Sequence, residues 1–113
     1  MELKELALRT REEIEQEICR IYPLPENPAN PDEVDQVLEK RAEIRKSITR
    51  LQVETLLNGK LTIDQVVAQQ HTEDDNDVDS IHRKVLTDAL EELKKGGNRE
   101  SIIGKTAEKL GIL

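Results

Sequence analysis

Aromatic side chains are almost missing from this sequence: Tyr22 stands alone, with no Phe and no Trp. A core built without large rings has to be aliphatic and thin, of the kind that helices provide when pressed along apolar stripes. Cysteine is limited to Cys19, which excludes an internal disulfide framework and a cysteine cluster for metal. No apolar run approaches the roughly 18 residues that a membrane span requires, and no signal-peptide core is present. The expectation is a soluble cytoplasmic protein that makes no membrane contact. Glycine patterns that serve catalysis are absent as well: there is no G-x-S-x-G, no phosphate-cradling loop and no Walker sequence.

What the chain does have is charge, 36% of its residues, with a net charge of −7. That balance opposes nonspecific attraction to nucleic acid or to an anionic membrane surface. Leu, Ile and Val are frequent enough for one modest core, so residues 1–113 are expected to form a single helical domain.

The best-marked stretch runs from Asn30 to Gly59. Asn30 can cap, Pro31 suits the first helical position, and Glu33 completes a capping box. Asn58 and Gly59 supply the stop. The spacing predicts a central helix over about 31–58, about 39 Å long at 1.5 Å per residue. Ahead of it, residues 2–22 read as one helix with Leu3, Ala7, Ile14, Ile18 and Ile21 on its stripe, interrupted at Thr10 and Arg11. All four prolines fall in PLPENPANP, residues 23–31, a linker that cannot be helical. A short helix follows over about 63–70, capped by Thr62 and Gln65 with Ile63, Val66 and Val67 inward. A fourth covers about 78–95 on Val78, Ile81, Val85, Ala89 and Leu93, and ends at Gly96-Gly97. The last runs from Asn98 to about Leu110, with Gly104 inside it where a neighbour can come close. The fold class is therefore all-α, with five helices and the long one as spine.

Candidate chemistry lies in the polar residues. Asp75, Asp77 and Asp79 have the D-x-D-x-D spacing of a calcium loop, but Ser80 and Leu86 stand where Gly and a bidentate Glu belong. An acidic loop that caps the next helix accounts for them. His71 and His82 are the only histidines, and with one cysteine they give no zinc set. Cys19 lies off the inward face near a helix C-terminus, which disfavours a thiolate. Glu12 and Glu15 match the first E-x-x-E pair of the helical nucleotide pyrophosphohydrolases, but no E-x-x-D follows.

Arg41 and Arg45 fall on the middle of the central helix's apolar face, where burial demands a partner, and Glu13 and Glu17 are the nearest candidates. With Arg11, and through VDQVLEKRAEIRKSITRLQ, they are similar to the long helix of the helical chorismate mutases. That resemblance implies an all-α enzyme holding an anionic substrate on interior arginines. SIIGKTAEKLGIL resembles the first helix and turn of helix-turn-helix domains and implies a DNA-binding regulator, although the sequence stops where a recognition helix belongs. Neither reading matches the charge and motifs as well as a third. The expected function is a small acidic non-catalytic interaction or regulatory protein, a homodimer or the partner of another protein, with no cofactor and no metal. Its expected interface comprises Val34, Val37, Arg41, Ile44, Arg45, Ile48 and Leu51 on the central helix.

Overall fold

The computed structural model describes residues 2–27, 29–70 and 76–112, with side chains from residue 80 to 111 in the last stretch. His71, the acidic residues 73–75, Pro28 and Leu113 lie outside it, as do the side chains of Asp77 and Asp79. The expectations about calcium spacing and acidic capping therefore fall outside the described residues.

Every described element is helical. In chain order they are α1 (Leu3–Leu6), α2 (Arg11–Ile21), α3 (Pro31–Leu57), α4 (Ile63–Gln70), α5 (Asn76–Lys94) and α6 (Arg99–Ile112). The all-α architecture with a long central helix is as expected, but the count among the described residues is six and not five. The difference is local to the N-terminus, where the single helix expected over residues 2–22 is two. Thr10 turns extended (φ −67°, ψ 159°) and its hydroxyl accepts from the Glu13 amide, which starts a new helix. A short polar side chain that bonds to its own following backbone competes with helical continuation. At this position the cap prevails.

The ends of α3 form as its sequence dictates. The Asn30 side chain accepts from the Glu33 amide at 3.3 Å, and the Glu33 carboxylate reaches back to the Ala29 amide at 3.0 Å. That back-contact lands one residue earlier than in a standard capping box. At the other end the Gly59 amide donates to the Leu56 carbonyl and the Lys60 amide to the Thr55 carbonyl. This is a Schellman motif, and it needs the positive φ of 78° that Gly59 adopts. Gly96 closes α5 in the same manner at φ 88°. Thr62 and Gln65 exchange reciprocal hydrogen bonds at 2.9 and 3.1 Å, the full capping box of α4.

Packing divides into two clusters that share α3. Val53, Leu56 and Leu57 of α3 are buried with Leu61, with Val66 and Val67 of α4, Leu86 and Ala89 of α5, and Ile102 and Leu110 of α6. Further along the spine, Ile48 is buried with Leu6, Ala7, Ile14 and Ile18, and Ile44 and Leu51 pack at the margin. No residue of α3 before Ile48 is buried. The first half of the spine thus extends past the core with α2 and the linker beside it. The radius of gyration is 15.4 Å and the extents are 53 × 29 × 23 Å. A compact chain of this size would have a radius of about 13 Å. The molecule is elongated because its longest helix outruns its core.

Candidate interaction surface

The α2–α3 pair is an antiparallel hairpin, and two arginines set its register. Arg45 grips Glu15 with two parallel bonds, Nε to Oε1 and Nη2 to Oε2, each 2.8 Å. About two turns further along α2, at 3.6 residues per turn, Arg41 Nε donates to the Tyr22 carbonyl at 2.9 Å. That carbonyl caps the end of α2, where orphan acceptors favour a cationic donor. The expected carboxylate partners were Glu13 and Glu17; Glu15 takes the place of both. Glu13 instead belongs to the Thr10 cap, and Glu17 pairs with Arg20 on its own helix. The hydrogen bond from Arg45 is the main reason the Glu15 carboxyl is held below the ordinary carboxylate range, with partial burial opposing it. The same bond raises Arg45. Both side chains keep substantial solvent contact, 42% for Arg45 and 37% for Glu15, so the pair orients more than it stabilises.

Beneath this pair lies a recess of about 150 Å³ between α2, α3 and α4. Its wall includes Gln52, only 1% exposed, whose carbonyl accepts from the Gln70 amide. Gln69 stands next to them and donates from Nε2 to the carbonyls of Ala7 (2.7 Å) and Arg9 (2.9 Å). Those carbonyls sit in the turn at the break between α1 and α2, so one amide ties α4 to that turn. Sequence reading assigns a role to neither glutamine. A polar residue on a predicted inner face is the signal that could have marked them.

Of the seven residues expected at an interface, Ile48 is core, while Ile44 and Leu51 pack at its edge. Val34, Val37, Arg41 and Arg45 are half-buried. The structure brings all seven to one side of α3, and that side packs against α1 and α2. The free stripe lies next to it. Asp35, Leu38, Ala42 and Lys46 follow at three- and four-residue steps and are all exposed. Leu38 is 47% exposed. Around the same end of the hairpin, on either side of the Tyr22 held by Arg41, Ile21 and Leu24 are 39% and 48% exposed.

Cys19 is exposed and His82 is buried in α5. Among the described residues no group of His, Cys, Asp and Glu has the arrangement to hold a metal ion, and no helix is long and apolar enough to cross a membrane. No protein family matches the chain, and neither a curated protein nor a solved structure matches it.

Proposed function

We propose that this chain is a small non-catalytic interaction or regulatory protein of the cytoplasm, folded as one domain and acting through protein–protein contacts, self-association among them. Its working surface is the exposed end of the α2–α3 hairpin. One observation carries this reading: the longest helix runs past the core and leaves Ile21, Leu24 and Leu38 open to water at one end. Scattered apolar side chains on a surface need no explanation, but exposed ones along an element that projects from the core suit a partner. Two of the three arginines that would serve an anionic substrate are engaged in holding the hairpin, Arg45 by Glu15 and Arg41 by the Tyr22 carbonyl. That supports contact over catalysis.

The test is the double variant Leu24→Lys/Leu38→Lys. Both side chains are exposed, so helix content and unfolding midpoint are expected to stay near wild type. Sedimentation velocity over a wide concentration range, alone and with any protein that co-purifies from the native cell, is expected to show associations that the variant loses. If every association survives the two lysines, the hairpin end is not the working surface.

A further inference from the structure

We infer that the occupant of this surface is a second copy of the same chain, laid antiparallel along the first half of α3. The inference rests on the reading of the hairpin end as an interaction surface. Its own basis is the way charge is divided along the helix. Residues 32–39 contain Asp32, Glu33, Asp35 and Glu39 and no Lys or Arg, whereas residues 40–46 contain Lys40, Arg41, Arg45 and Lys46 against a single Glu43. Within one chain acids ahead of bases suit the helix dipole, and Glu43 has Lys40 and Lys46 three residues to either side, but several steps set like charges together. Asp35 and Glu39 are like charges one turn apart, as are Glu39 and Glu43, and Lys46 and Arg50. Asp32, Asp35, Glu39, Lys40 and Lys46 make no ion pair among the described residues.

A second copy resolves the conflict if it runs the other way. Place a two-fold axis near Lys40. Leu38 of each copy then lies beside Ala42 of the other, and the two small apolar contacts repeat as an isologous interface requires. Lys46 of each copy falls level with the turn from Asp32 to Asp35 of the other, within about 3 Å along the axis at 1.5 Å per residue. Lys46 meets the acidic turn twice, while Arg41 and Arg45 stay on the α2 side with the Tyr22 carbonyl and Glu15. A parallel pair would do the reverse, setting every charge against its own copy. Glu39 is the informative exception: it lies almost on the axis, so the antiparallel pair brings Glu39 close to Glu39 of the second copy. The apolar part is small, Leu38 and Ala42 with Ile21 and Leu24 near the rim, so the dimer is weak and concentration-dependent.

The signs of three substitutions separate the arrangements. In the antiparallel dimer Asp35→Asn and Lys46→Gln weaken association, while Glu39→Gln tightens it. In a parallel dimer all three tighten. The decisive experiment uses full-length Asp35→Lys and Lys46→Glu chains, whose helix content is first checked by circular dichroism. Sedimentation equilibrium is expected to show each reversed chain with its association constant lowered about tenfold, from two surface pairs turned repulsive. An equimolar mixture of the two reversed chains is expected to restore the wild-type constant, because each then meets its complement. A wild-type dimer indifferent to both reversals overturns the antiparallel arrangement but leaves the surface reading standing. Absence of self-association at every concentration overturns the assignment to a second copy. If in addition no other association depends on Leu24 and Leu38, the surface reading falls with it.

Discussion

Replacing Ile48 by Ala tests whether α3 couples the two packing clusters. Ile48 is 2% exposed and is the only α3 residue fully buried in the N-terminal cluster, with Leu6, Ala7, Ile14 and Ile18 as its buried neighbours. The substitution removes three carbons, worth about 2.4 kcal/mol at roughly 0.8 kcal/mol per buried CH₂. The cavity left behind adds to this, since a cluster held by two short helices relaxes only in part, and about 3 kcal/mol is expected. That is a large share of the roughly 5–15 kcal/mol that holds a small domain together. Hydrogen exchange resolves where it is felt. Amides of α2 are expected to lose about a hundredfold of protection, at one decade per 1.4 kcal/mol, through opening of the N-terminal cluster alone. Amides of α5 are expected to lose less. Stability lowered by under about 1 kcal/mol would refute the packing argument. Equal loss in α2 and α5 would refute the idea that the N-terminal cluster opens first.

Further outcomes follow from the polar contacts. Gln69→Leu deprives the Ala7 and Arg9 carbonyls of their donor and is expected to destabilise by about 2 kcal/mol in urea unfolding, with α1 exchanging fastest. Thr62→Ala removes the α4 cap and should cost about 1 kcal/mol in the same assay. Gly59→Ala, which meets no neighbour but must hold φ 78°, should lower the unfolding midpoint through backbone strain alone. The Glu15–Arg45 pair has a defined pH signature. Because the Glu15 carboxyl is lowered in the folded state, its contribution is present above the ordinary carboxylate range and is lost as pH falls through its folded value. Wild type should therefore lose more stability on acidification than Glu15→Gln. The difference should be under about 1 kcal/mol, since both partners are more than a third exposed.

The parts that were legible from sequence are those encoded locally. Asn30-Pro31 and Asn58-Gly59 mark the ends of α3 by side-chain capping and a left-handed glycine, and both operate within a few residues of chain. Thr10 carried an equally local signal, a Thr with Glu three residues on. In a 3.6-residue apolar pattern it reads as an interruption, and only the structure shows a new helix beginning there. Consequently Leu6 is buried, whereas Leu3 and Ile21, expected on the stripe, are exposed. Ile81 gives way likewise: it is exposed while the neighbouring His82 and Leu86 face inward. Gly104 does have a neighbour, but Arg50 Nη2 would sit 3.9 Å from an added Cβ, which is ordinary contact. The candidate surface was half legible. The seven α3 residues do share a side, but which of them a short antiparallel helix would cover depends on register. Register was set by Glu15 meeting Arg45, a pairing thirty residues apart that no periodicity announces. The same covering by α2 moves the open stripe onto Leu38 and Ala42.

The central claim, a spine whose free half is completed by its own copy, is tested most directly by distances between spin labels. Labels on single cysteines at positions 32, 36 and 43, exposed and outside the Leu38–Ala42 contact, each in a Cys19→Ser chain, report separations across the dimer. The account predicts the shortest distance at position 43 and an increase toward position 32. Backbones there are displaced along the axis by about 24 Å, at 1.5 Å per residue. Equal short distances at all three positions, or no dipolar coupling at any concentration, would contradict it.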